Sequence, residues 1–197
     1  MNAVGIIPVR LESSRLSNKA ILDIGGLPMF VHTCKRALLA ETLDEVFLAT
    51  DNKKIAEIAN KHNIKVIMTS TTHKNSTERI AEACEKIDCD IIVNIQGDEP
   101  LLLPRHIDTM IKSIKENPNK DAWNATGEIK TEDELNSHSF VKCAVINNNN
   151  ILHCFRRTPY FSNLDIQQKF VRKILGIVGY RKDFLLHLAK LTETIIE

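Results

Sequence analysis

No apolar run in this 197-residue chain approaches the length of a membrane span, and the N-terminus has no basic region followed by a long apolar segment. Neither a leader nor a membrane anchor is expected, and the compartment implied is the cytoplasm. An excess of one charge is lacking too, since 26 basic residues stand against 25 acidic ones. So balanced a chain has no electrostatic footprint for nucleic acid or a membrane surface, and any anionic ligand must be caught by a local cluster. The five cysteines (Cys34, Cys84, Cys89, Cys143 and Cys154) are odd in number and include no Cys-x-x-Cys pair, which argues against a disulfide framework and a structural zinc site. Also absent are internal repeats, a P-loop, a Gly-x-Gly-x-x-Gly fingerprint, histidines at metal-ligand spacing and a Ser/His/Asp or Cys/His arrangement.

What is present is alternation. Strand-like runs at Val4 to Val9, Glu45 to Thr50, Ile64 to Met68 and Asp90 to Ile95 are interleaved with helical periodicity over Pro28 to Leu39, Asn52 to His62, Ser76 to Lys86 and Arg105 to Lys115. Strands alternating with helices imply βαβ units, a parallel sheet and right-handed crossovers, hence the α/β class. Gly25-Gly26 before Pro28 reads as a turn into a helix. The pattern changes after Asn117. Val141 to Ile146 and Ile151 to Arg156 flank four asparagines that tolerate left-handed backbone, so an antiparallel hairpin is expected there. Ile174 to Tyr180 reads as a further strand and Lys182 to Lys190 as a helix. A single domain with two halves, 1–118 and 119–197, follows, the first for a nucleotide and the second for substrate contacts or dimerisation.

Ile91 to Ile95 is a short β-branched run that stops in Gln96-Gly97-Asp98-Glu99-Pro100. A buried strand there would deliver both carboxylates to the carboxyl edge of the sheet, where open α/β folds bind ligands, and the pair suits a hard divalent cation held against phosphates. An ordinary polar turn is the competing reading. Arg10, Ser13, Arg15 and Lys19 follow the first strand directly, combining positive charge with donors as a loop around a triphosphate requires; the alternative is a solvated basic loop. Asn75 or Ser76 would cap a helix that carries Arg79 one turn in, and such a start binds an anion, binds the polar edge of a base, or simply exposes an arginine. Arg156 and Arg157, on a strand, would point to opposite faces. His73 lies near this set, but a lone histidine is given no catalytic role.

Ile6-Ile7-Pro8-x-Arg10, Ser13-x-Arg15-Leu16-x-x-Lys19, Ser76-Thr77-Glu78-Arg79, Asn94-Ile95-Gln96-Gly97-Asp98-Glu99-Pro100, Phe155-x-Arg157 and Gly179-Tyr180-Arg181, in this order, resemble the 3-deoxy-manno-octulosonate cytidylyltransferase family. The resemblance implies a Rossmann-like, three-layer nucleotide-diphospho-sugar transferase fold, mostly parallel with an antiparallel hairpin insert. It also implies transfer of CMP from CTP to the anomeric hydroxyl of an acidic eight-carbon sugar for lipopolysaccharide synthesis, with Mg²⁺ as cofactor and a homodimer as the working form. By position, Arg10, Ser13, Arg15 and Lys19 would hold the triphosphate, Gln96 and Arg79 the nucleotide, Asp98 the metal and Arg157 the sugar carboxylate, with Lys19 and Asp98 as catalytic residues. Glu99 would support the turn. The chain departs from the family where Ser17-Asn18 replaces Pro-Gly, where Ile174-Leu175 precedes Gly176 and where Arg156 replaces a serine. Family members also continue into a segment with sugar contacts and a second metal-ligating aspartate, so a non-catalytic nucleotide-binding protein of the same fold is the alternative expectation.

Overall fold

The computed structural model describes residues 1–11, 18–159 and 163–191. Two compact units emerge, one from Met1–Trp123 together with the chain from Gly176 onward, the other from Asn124–Leu175. The first boundary lies near the expected residue 118, but the chain after Gly176 belongs to the first unit rather than the second.

In the first unit, β1 (Ala3–Pro8) leads through the short strands β2 (Asp23–Ile24) and β3 (Leu27–Pro28) to α1 (Met29–Ala37). Then follow β4 (Glu45–Thr50), α2 (Lys53–Lys61), β5 (Lys65–Met68), α3 (Ser76–Glu85), β6 (Ile91–Ile95) and α4 (Pro104–Glu116). β1, β4, β5 and β6 are parallel in the order β5-β4-β1-β6. Gly25 and Gly26 have φ of 60° and 92°, so they form the tight turn between β2 and β3 rather than a turn into the helix; β3 then runs straight into α1. Asn52 and Asn75 cap α2 and α3, each accepting a backbone N–H three residues on.

The second unit begins within β7 (Ala122–Glu128) and contains the rest of that strand, α5 (Glu132–Asn136), β8 (Lys142–Val145), β9 (Ile151–Phe155), α6 (Leu164–Gln167) and the start of β10 (Val171–Arg181). β8 and β9 form the expected hairpin, with Asn148 and Asn149 at positive φ in its loop. β7, α5 and α6 leave no periodic sequence signal: the helices span five and four residues, and β7 alternates only between half-buried and exposed. The unit's small core joins Ile129, Leu135 and Val171.

Residues 177–181 of β10 pair antiparallel with β6, and α7 (Lys182–Leu188) places Leu185 in a cluster with Val4, Ile6, Ile80 and Ile92. This burial draws the late segment into the first unit. Among the described residues no helix is long and apolar enough to cross a membrane.

Lys142 is fully buried, and its ammonium donates to the carbonyls of Ser137 (2.5 Å), Phe140 (3.3 Å) and Arg156 (2.8 Å). Burial, followed by the charge of Arg156, pushes its pKa down. Lys142→Met would remove the donor shared by three carbonyls at a part-buried site and is expected to cost about 1–2 kcal/mol, read as a lower melting temperature or a lower denaturant midpoint.

Candidate active site

In the order β5-β4-β1-β6 the chain steps from β1 to one side and later returns to the other, so the crevice between the carboxyl ends of β1 and β6 is the topological switch point. Both strands discharge there. Ile6 is in register with Asn94, so Arg10 follows β1 close to where Gln96, Gly97 and Asp98 follow β6. A Cβ on Gly97 would lie 2.7 Å from Val9 Cγ2 and 3.2 Å from the carbonyl oxygen of Pro8, so only glycine permits this approach. The turn is further fixed by the Gln96 amide, which donates to Gly176 of β10 at 2.9 Å, and by the Thr33 hydroxyl of α1, which donates to the Gly97 carbonyl at 3.2 Å.

A cavity of about 380 Å³ opens at this point, lined by Arg10, Lys19, Gln96 and Asp98 from the segments after β1 and β6 and by His73 to Ser76 with Arg79 from the start of α3 and the loop before it. Lys19 donates to the Asp98 carboxylate at 2.6 Å, both groups partly exposed. Lys19 reaches the cavity through Asn18, whose φ of 57° shows asparagine taking the left-handed conformation that it tolerates better than most residues. Glu99 points elsewhere: its carboxylate packs over Gly176, where a Cβ would meet Oε1 at 2.7 Å. Burial and then the neighbouring Asp98 charge raise the Glu99 pKa, against the pull of Lys19.

The structure therefore brings Arg10, Lys19, Arg79, Gln96 and Asp98 together. Ser13 and Arg15 lie outside the described residues. Arg79 differs from the expectation of a free nucleotide contact. It is 4% exposed, and its guanidinium donates to Asp51 at 2.8 Å and to the Thr69 hydroxyl at 2.6 Å, tying the ends of β4 and β5 to α3. Arg156 and Arg157 also differ, because β9 ends at Phe155 and both stand in the bend beyond it; strand alternation does not govern them. Arg157 is exposed in the second unit, while Arg156 donates to the His138 carbonyl at 3.1 Å. Asp51, Glu78 and Glu82 were missed as site-building residues. Asp51 had a usable signal, an acid just past a strand end on the ligand edge.

A parallel sheet whose switch point gathers Arg10 and Lys19 after its first strand, a Gln-Gly-Asp turn after its fourth and an asparagine-capped helix start defines a Rossmann-like α/β fold with an anion-binding crevice. The sequence profile of the cytidylyltransferase family matches residues 4–197. The 3-deoxy-manno-octulosonate cytidylyltransferase of Geobacter sulfurreducens is 35% identical over all of this chain and 83% of its own length. That of Zea mays is 40% identical over 93% of the chain, which spans 62% of the maize protein. A solved CMP:2-keto-3-deoxy-manno-octonic acid synthetase complexed with CTP superimposes with a TM-score of 0.91 at 34% identity, over 99% of this chain and 80% of that one. The chain belongs to the 3-deoxy-manno-octulosonate cytidylyltransferase family.

Proposed function

We propose that this chain transfers CMP from CTP to the anomeric hydroxyl of 3-deoxy-manno-octulosonate or a close ulosonic acid, releasing pyrophosphate, with Mg²⁺ as cofactor. The observation that carries the reading is the Lys19–Asp98 pair facing the switch-point cavity beside Arg10 and Gln96. Nucleotidyl transfer needs little covalent help from protein; positioning and charge neutralisation do most of the work.

The donor set fits Mg²⁺. Asp98 is the only carboxylate among the described residues lining the cavity, and Mg²⁺ is commonly held by one or two carboxylates plus substrate phosphates and water. Bound at Asp98, the ion would offset the charge of the triphosphate oxygens. Arg10 and Lys19 add fixed positive charge on the same side, and Lys19 has a partner whether its charge faces Asp98 or a phosphate. Gln96, anchored through its amide to Gly176, presents a side chain that can both donate and accept toward a base or ribose. Arg157 is assigned to the sugar carboxylate on the strength of the family motif. The working form is read as a cytoplasmic homodimer, for which light scattering should return twice the 22.3 kDa chain mass.

The test is pyrophosphate release from CTP, Mg²⁺ and 3-deoxy-manno-octulosonate. Release that requires the sugar and is lost with ATP or GTP in place of CTP supports the reading. CTP binding by calorimetry without release would instead make the chain a non-catalytic nucleotide binder.

A further inference from the structure

The His73 to Ser76 wall of the cavity is reached by the loop after Thr69, which has no strand or helix of its own before α3. Two carboxylates of α3 hold this loop. Oε2 of Glu82 accepts the Ser70 amide at 2.7 Å and lies 2.6 Å from Nε2 of His73. An ionised carboxylate only accepts, so the shared proton sits on Nε2 of His73. One turn earlier, Glu78 accepts the Lys74 amide at 2.9 Å and the Asn75 side-chain amide at 3.0 Å. Lys86 closes the cluster from outside, donating to Oε1 of Glu82 at 2.8 Å and to the Met68 carbonyl at 2.7 Å. Partial burial opposes the charge on Glu82, but hydrogen bonds from Lys86, Ser70 and His73 outweigh it and hold its pKa at about 2. The acceptor that organises the loop is thus ionised at any working pH.

We propose that Glu82 is a positioning residue for the nucleotide: through Ser70 and His73 it holds the loop as a preformed wall of the cavity without itself touching the ligand. The proposal rests on the CTP reading above. A wall displaced by an ångström weakens binding and alignment severely, whereas Arg10 and Lys19, assigned to the triphosphate in that reading, reach the cavity from the segment after β1. Glu82→Ala should therefore raise KM for CTP about tenfold or more and leave kcat within about threefold. Glu82→Gln keeps an oxygen able to accept from both Ser70 and His73, and should return KM to within about threefold of the unsubstituted protein.

In the unsubstituted protein, hydrogen exchange at the Ser70 and Lys74 amides should be slower than at Thr71, because carboxylates protect the former two. Equal exchange at all three amides overturns the proposal whatever the variants do, including a Glu82→Ala that fails to fold. An unchanged KM in a folded Glu82→Ala, or a Glu82→Gln as weak as Glu82→Ala, also overturns it. Slow exchange in a protein that binds no CTP would sink the CTP reading while leaving the loop clamp established.

Discussion

Asp98→Asn is expected to lower pyrophosphate release by about a thousandfold or more, the range seen when a group that stabilises developing charge is removed. The substitution preserves shape and removes only charge. Around the cavity the described cations are Arg10, Lys19, Lys74 and Arg79, and Asp98 alone supplies a carboxylate, so no neighbour can replace it as an anionic ligand. Glu99 is adjacent in sequence but packs over Gly176. The fold should survive, because exposed ion pairs such as Lys19–Asp98 contribute little to stability. Turnover at saturating CTP and sugar, with a melting curve alongside, checks both halves. A variant that melts normally and turns over within tenfold of the unsubstituted protein would remove Asp98 from the chemistry.

The second large effect concerns stability. Arg79→Met would leave Asp51 and the Thr69 hydroxyl facing an apolar side chain in a site where the arginine is only 5% exposed and the aspartate 18%. Breaking a buried pair by removing one partner costs about 3 kcal/mol or more, since the remaining charge stays desolvated. For a domain of this size that is a fall in melting temperature of roughly 6–12 °C. Arg79→Lys should recover only part of it, because an ammonium cannot span Asp51 and Thr69 with the planar fork of a guanidinium. The experiment also separates two roles. If Arg79→Met melts like the unsubstituted protein but binds CTP far more weakly, the arginine serves the ligand and not the framework.

The contrast between these two residues shows how far a sequence can be read. Asp98 was legible because its position follows from local rules: a short β-branched run ends in Gly-Asp-Glu-Pro, and strand ends in an alternating α/β chain face the ligand edge. Arg79 was legible as a residue near a helix start. Its engagement with Asp51 was not, because that contact joins positions 28 apart that meet only when β4 and α3 pack on the same sheet. Glu82 left no local sign at all: one carboxylate on a helix face becomes a clamp only once the preceding loop folds back along α3.

By itself, then, the chain's order of residues determined the α/β alternation, a helix start capped at Asn75 or Ser76, the hairpin through its asparagines and the edge to which Arg10, Gln96 and Asp98 are delivered. These depend on periodicity, dihedral preference and hydrogen bonds within a few residues. Tertiary structure alone decided that the segment after Gly176 returns to pair with β6, that Gly97 must be glycine because another loop passes within 3 Å of its missing Cβ, and that Glu99 faces away from the cavity while Asp98 faces Lys19. Each of these is a contact between distant parts of the chain, set by which surfaces can be buried together rather than by any neighbouring residue.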